Sequence, residues 1–527
     1  MKYNLLYSLL FSIIFIIIET LVRINSPFLS DFLKLSNYLE LFLLFFFISF
    51  IPKKIANAFI LFLITMFTIQ IIHFLYFGYL LFPMEFILTI TKWREIIETG
   101  VTKLDILILP ILYLLIFISS FIYINKITFN RLIFNKTKYL FFLLILIPII
   151  NASIHYKHRL LGDRPNADKS IIKSSLYVVK TFLGKTLPLY LLDIQIVHKY
   201  SNKKFEKNLM IQQPDNIILV IGESLSLHYM SLYGYKTDTT PNLNNFKNDK
   251  NFFYTKALSA GVYTDSSIPM ILNVEKRPNA IDDIISNKTN LFKLAKDSGY
   301  TTYWISAQSN DGFSYIRSYL GLKNIDLYID STHYGYSKYD NAYDSVLEKE
   351  IKKIDFTKRN FIVLNMIGSH SPYELRVPKS FHPFNNEGTL SNYNNTVAYT
   401  DKIISNILKE IKQKAGKVLF VFTSDHGQSV QKNSYGHGNI NNPLHYQVPL
   451  IIYTHNFKLN SNIKKLLSDE EYTSHNNMSL MVSYYLGYDT LKYMDTNITY
   501  INGNQLSGNG GYLQYNFHTR KTKLEQN

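Results

Sequence analysis

The stretch SDHGQSVQKNSYGHG sets Asp425 beside His426 at the end of an apolar run and places His437 in the glycine-flanked loop that follows. Carboxylate plus imidazole is a zinc-type donor pair. Alone, an Asp-His-Gly reads equally well as a helix cap followed by an exposed turn residue. Two other apolar runs end in the same manner: VIGES delivers Glu223 and LNMIGSH delivers His370. A catalytic metal keeps one position open, so a hydroxyl should approach it, and a Ser or Thr oxygen needs a base or a metal to become nucleophilic. SAGVYTDSSIPM offers Thr264, Ser266 and Ser267, and composition does not choose among them. Ser224 is excluded as an elbow nucleophile, because that turn needs Gly two residues on and position 226 is Ser. Glu223 is then the working residue of its stretch, as ligand or base.

These groups need a scaffold that gathers strand ends. From Asp215 onward short apolar runs alternate with polar helical stretches, the pattern of an α/β protein whose ligands collect outside the carboxyl ends of the strands. The predicted central strands are Ile217–Ile221, Thr302–Ser306, Phe361–Met366, Val418–Thr423 and Val448–Tyr453. The tail after Tyr500 is turn-rich and carries no signal of its own.

The first third is different in kind. Leu5–Val22, Leu35–Pro52, Ile55–Leu80, Ile106–Ile124 and Tyr139–Ile154 are nearly uncharged and most reach the ~20 residues that span a hydrocarbon core. The reading is a bundle of five transmembrane helices, the last the shortest. Lys2, Lys53, Lys54, Lys126, Arg131, Lys136 and Lys138 all fall on one side of it, which makes that side cytoplasmic and the rest of the chain external. Arg23-Ile24-Asn25-Ser26-Pro27 offers no cleavage site, so the first span is not a signal peptide. The chain has no Cys, and its net charge of +16 suits anionic lipid surfaces better than nucleic acid. Residues 155–213 form an amphipathic bridging segment for the membrane surface, broken at Gly184 and Pro188. The expected domains are residues 1–154, transmembrane; 155–213, bridging; and 214–527, catalytic.

Taken together, NIILVIGESLSLHYMSLYGYKTDTTPNL, GVYTDSSIP, MIGSHSPY, YNNTVAYTD and SDHGQS with the later His437-Gly438 resemble the membrane-anchored phosphoethanolamine transferases of the Gram-negative envelope, within the alkaline phosphatase and sulfatase superfamily. The resemblance extends to the five-helix anchor. It implies an extracytoplasmic α/β sulfatase-like domain in which Glu223, Thr264, Asp425 and His426 surround one zinc ion and Thr264 becomes phosphorylated. His370 and His437 would lie by the substrate phosphate or a second metal, and Ser224 would be structural. KWREIIETG is similar to the family's stretch near the donor lipid, which makes Glu98 the candidate there.

What this implies for function is a monomeric inner-membrane enzyme with its catalytic domain in the periplasm. Phosphatidylethanolamine is the donor, and lipopolysaccharide (lipid A or core) or another envelope glycan is the acceptor. The alternatives are a phosphoglycerol transferase using phosphatidylglycerol, a sulfatase-like hydrolase, and a catalytically dead membrane sensor. Two departures bear on the acceptor: Ala260 and Met270 stand where lipid A-modifying relatives carry disulfide cysteines, and Gln428 stands where many relatives have Glu, which weakens any second zinc site.

Overall fold

The computed structural model describes residues 1–24, 35–77, 80–81, 83–91, 93, 97, 104–154, 169–191, 204–278, 280–309, 319–385, 388–414, 416–431, 434–503, 506 and 511–525. Glu98 lies outside them. The chain divides into two compact units, Met1–Gln195 with Lys432–Tyr435, and Ile196–Gln431 with Gly436–Asn527.

The first unit is helical: α1 Lys2–Ile24, α2 Leu35–Ser49, α3 Lys53–Phe77, α4 Pro83–Thr91, α5 Leu104–Ile127, α6 Thr137–Ile154 and α7 Ile171–Thr181. Among the described residues α1, α3, α5 and α6 are long and apolar enough to cross a membrane. The expected second span falls short: α2 has 15 residues, about 22 Å at 1.5 Å each against a ~30 Å core. The shortest helix of the five is therefore the second, not the last. Asn4 Nδ2 donates to the carbonyls of Ser49 and Leu132, and Phe134 N donates to Phe50 O. The start of α1, the end of α2 and the loop before α6 thus share one end of the bundle, the end that carries the lysines and arginines of the sequence analysis.

Gly184 does not break the bridging segment. The helix continues from α7 through a π-helical turn, Phe182–Thr186, into Leu187–Leu191. Gly184 instead permits a close approach, since a Cβ there would lie 2.4 Å from Ile149 O of α6. Ile171, Ile172 and Val178 are buried among the apolar helices, while residue 207 of the second unit pairs with Tyr488. The two ends of the expected bridge therefore belong to different units.

The second unit is built on an eight-stranded sheet. Its strands are β1 Asn216–Gly222, β2 Phe252–Leu258, β3 Thr301–Ser306, β4 Leu327–Ile329, β5 Asn360–Asn365, β6 Val418–Ser424, β7 Gln447–His455 and β8 Tyr472–Ser474, in the order β8-β2-β7-β6-β1-β5-β3-β4. All five predicted strands are present. Pairing is parallel except where β7 meets β2 and β6. β1, β5 and β6 are buried along their whole length, which is why they read as unbroken apolar runs. Each Ile, Leu or Val withdrawn from water there contributes roughly 1.5–3 kcal/mol. The edge strands β4 and β8 have three residues each, too short for an alternating pattern to mark them.

Three helices matter for the site: α8 Thr264–Leu272, α9 Thr389–Ile411 and α10 His475–Tyr485. The tail forms a separate antiparallel sheet, Ile498–Asn502, Tyr512–Asn516 and Thr522–Glu525. It is not uninformative, because Val262 N donates to Asn502 O and Asn502 N donates to Ala260 O, holding the loop that leads into α8.

Candidate metal centre

β1 and β6 are neighbours, with Gly222 in register with Ser424, so their carboxyl ends set Glu223 and Asp425 beside each other. Asp425 N donates to Gly222 O, and the carboxylate of Asp425 accepts from Ser224 N at 3.1 Å and from His426 N at 2.7 Å. Glu223, Asp425 and His426 are 0–1 % exposed, and one donor atom from each lies within 4.8 Å of the other two. His426 Nδ1 is 2.9 Å from Gly427 O, which assigns its proton to that nitrogen. The unprotonated Nε2 then faces Glu223 Oε1 and Asp425 Oδ2 at 3.4 Å each.

Three buried acceptors converging on one point repel one another unless a cation lies between them. Burial pushes the Glu223 carboxyl above its ordinary range, with the charge of Asp425 adding to the rise, and burial likewise lifts Asp425 to about 6. Two carboxylates and one imidazole suit a zinc-type ion. The donor set therefore fits a bound metal.

Thr264 is the first residue of α8, and its hydroxyl completes the cluster. Oγ1 lies 2.7 Å from Asp425 Oδ2, 3.1 Å from Glu223 Oε2 and 3.3 Å from His426 Nε2. The other two hydroxyls of the loop are occupied elsewhere: Ser266 Oγ donates to Gly503 O at 2.8 Å and Ser267 Oγ to Asp425 O at 2.5 Å. Ser224 adopts φ 58°, and its carbonyl accepts from the Tyr393 hydroxyl at 2.8 Å, a connection between β1 and α9. Asp401, two turns further along α9, accepts from the backbone amides of Asn242 and Leu243. That contact joins two of the motifs, TTPNL and YNNTVAYTD.

His437 lies against His426 with ring centroids 4.2 Å apart and planes tilted by 36°, and turns Nδ1 towards Gln428 Oε1 at 3.2 Å. Gln428 also donates to the Tyr373 hydroxyl, so this amide links the histidine loop to the loop after β5. His370 belongs to that second loop, where Arg376 donates to the carbonyls of His370 and Ser371. Asp344 accepts from Ile367 N at 2.8 Å and Gly368 N at 3.0 Å. Ala260 and Met270 are buried in one apolar cluster with Ala280, Ile284 and Leu506, so packing occupies the region where a disulfide was the alternative.

Sequence reasoning missed Gln308, Asp344, Arg376 and His475. Gln308 follows the end of β3 and donates to Glu223 Oε2 at 3.3 Å and Met366 O at 2.7 Å. The strand-end rule that found Glu223 would have found it too. His475 accepts from Ala260 N at 3.1 Å and sits 3.0 Å from Thr423 Oγ1, joining β6 to the Thr264 loop. No local pattern marks it, nor Asp344 or Arg376.

A mostly parallel α/β sheet with an acid–acid–imidazole cluster and a hydroxyl at adjoining strand ends has the architecture of the sulfatase class. The Sulfatase family model matches residues 215–487, and the chain belongs to that family. It is 28% identical over 255 residues to phosphoethanolamine transferase EptA of Helicobacter pylori, covering 45% of this chain and 47% of that protein. It is 26% identical over 272 residues to phosphoethanolamine transferase EptC of Escherichia coli, covering 46% and 45%. The chain spans about half the length of the curated relatives it matches. Its fold is also that of the integral membrane protein lipooligosaccharide phosphoethanolamine transferase A (EptA) from Neisseria meningitidis, with TM-score 0.59, 17% identity and coverage of 94% and 96%.

Proposed function

We propose that this chain is a zinc-dependent phosphoethanolamine transferase of the inner membrane. It is anchored by the apolar helices within residues 1–154, with residues 214–527 catalytic and periplasmic. It moves phosphoethanolamine from phosphatidylethanolamine to lipopolysaccharide or another envelope glycan. The observation that carries the reading is the Thr264 hydroxyl 2.7 Å from Asp425, within the cluster of Glu223 and His426. The named relatives, phosphoethanolamine transferases, support the same reaction class.

Glu223, Asp425, His426 and Thr264 would hold the zinc. When bound, the ion supplies Lewis acidity, easing loss of the Thr264 proton and drawing charge from the phosphoryl oxygens. Asp425 Oδ2 is the group that takes the Thr264 proton. The oxygen then attacks phosphorus, forming the Thr264 ester while the bond to diacylglycerol breaks and its oxygen is protonated. Thr264 stands at the N-terminus of α8, where the helix dipole favours negative charge on the transferring group. In the second half an acceptor hydroxyl or phosphate attacks the phosphothreonine, with His437 or His370 as base. His437 is suited to that task because Nδ1 faces Gln428 Oε1, which leaves Nε2 as the proton acceptor.

Intact-mass comparison of lipid A, core oligosaccharide and periplasmic glycans from parent and deletion strains tests the proposal. The expected change is loss of about 123 Da per modified site, the mass of one phosphoethanolamine less water. No change, or loss of a phosphoglycerol mass, overturns it.

A further inference from the structure

Asp344 stands at the N-cap of the helix Ser345–Lys353, where an aspartate ordinarily accepts from the first amides of its own helix. Its side chain makes no such bond. It is fully buried, and its two oxygens accept instead from Ile367 N at 2.8 Å and Gly368 N at 3.0 Å, in the loop after β5. A carboxylate withdrawn from water persists only where other bonds replace its hydration. Here both oxygens are committed to one distant loop.

That loop lies directly on Glu223. Its outer amides donate to the end of β1, Met366 N to Ile221 O and Ser369 N to Glu223 O, each at 2.9 Å. The two amides between them are those that Asp344 receives. Gly368 comes so close that a Cβ on it would stand 2.8 Å from Glu223 O. Gln308 closes the arrangement from β3, donating through Nε2 to Met366 O at 2.7 Å and to Glu223 Oε2 at 3.3 Å. Four successive amides thus tie one loop to β1 on one side and to Asp344 on the other. Asp344 is hydrogen-bonded to Glu223 only by way of this loop.

We infer that Asp344 is a positioning residue for the metal centre, holding the loop after β5 against Glu223 so that this carboxylate is in place before an ion arrives. The inference rests on the reading of Glu223, Asp425 and His426 as a zinc site and adds to it the group that presets one ligand. A ligand held ready loses less freedom on binding, and partners that fix a ligand's orientation raise metal affinity. An isosteric amide cannot take the place of the carboxylate: Asp344→Asn retains one acceptor but turns an N–H donor towards the second backbone N–H.

The test measures zinc affinity of the full chain by competition with a chelator. Burial raises the Asp344 carboxyl to about 7, against the pull of the two amides and Arg376, so the titration is run at about pH 8, where the group is ionised. Asp344→Asn should bind zinc about tenfold more weakly or worse. Asp401→Asn is the matched control, because Asp401 is also buried and also accepts from two backbone amides, those of Asn242 and Leu243. It should lose thermal stability and keep its zinc affinity. Unchanged affinity in Asp344→Asn, or an equal loss in Asp401→Asn, overturns the inference. A second measurement needs neither zinc nor a variant that folds well: in the metal-free wild type, hydrogen exchange of a peptide covering residues 366–371 should be slow. Exchange at the rate of an unstructured chain would show that the loop is not held before the ion binds, and would overturn the inference as well. If the wild type takes up no zinc, the metal-centre reading fails, and the exchange result still decides whether the loop is preset.

Discussion

Gly368 rests against the backbone of Glu223. Its φ is +49°, and a Cβ added there would approach Glu223 O to 2.8 Å and Glu223 N to 2.9 Å. Ser369 N donates to Glu223 O from the next position. The loop after β5 thus sets the height of the carboxylate at the end of β1. Gly368→Ala has nowhere to put its methyl without moving Glu223, and a left-handed backbone adds a penalty of its own. The expected result is substoichiometric zinc by elemental analysis together with lost transfer, in a protein that still folds. Full zinc content in this variant would show that the contact does not position Glu223.

Thr264→Ala should abolish transfer, on the order of a thousandfold or more, because the attacking oxygen is removed. Ser266→Ala should retain turnover, since that hydroxyl donates to Gly503 and faces away from the cluster. Incubation of the wild type with donor lipid and no acceptor should leave a phosphorylated peptide spanning residues 259–270. Tandem mass spectrometry that finds the phosphate on Ser266 or Ser267 refutes the assignment.

Metal removal should cost stability as well as activity. A ligand that binds only the folded chain at a hundred times its dissociation constant stabilises it by about 2.7 kcal/mol. A chelator should therefore lower the melting temperature of the wild type by several degrees. His426→Ala should melt near the chelated wild type and show no further shift with chelator. A chelator shift of unchanged size in that variant would mean the ion is held elsewhere.

Acid should destabilise the second unit through His445 and His475. Burial, above all, holds both near 3, against about 6.5 for an exposed imidazole. Between those values the unfolded chain takes up protons that the folded chain refuses. Stability is thus lost as pH falls below about 6.5, at roughly 1.4 kcal/mol per pH unit for each histidine. His475→Gln can keep the contacts to Ala260 and Thr423 without titrating. Denaturant unfolding across this range should show a shallower slope for the variant, and an unchanged slope would remove His475 from the account.

The orientation of the helical unit is testable with reporter fusions. Those placed after Lys54 and Lys138 should read cytoplasmic, and one after Asn208 external, because Lys and Arg are retained on the cytoplasmic side. A cytoplasmic signal at Asn208 would leave the proposed lipid donor on the wrong face of the membrane.

Much of this molecule is legible residue by residue. Ile217–Ile221, Phe361–Met366 and Val418–Thr423 announce themselves because strands buried on both faces must be apolar throughout. Glu223, Asp425 and His426 follow because polar groups placed directly after such strands are held at the sheet's edge, where chemistry collects. The apolar helices and the one-sided lysines are equally plain, since a bilayer constrains composition over long stretches. What local sequence does not contain is any contact between segments distant along the chain. It left Thr264, Ser266 and Ser267 equivalent as residues; the fold separates them by turning one oxygen to Asp425 and the others to backbone carbonyls. The same holds for Gly184, which composition marks as a helix breaker and which packing uses as the point where a continuous helix meets α6. Asp344, Arg376 and His475 are ordinary in their neighbourhoods and become significant only through backbone groups that other strands and loops bring to them. Periodicity and strand ends are written in one dimension, whereas the partner of a buried polar atom is chosen by the whole chain at once.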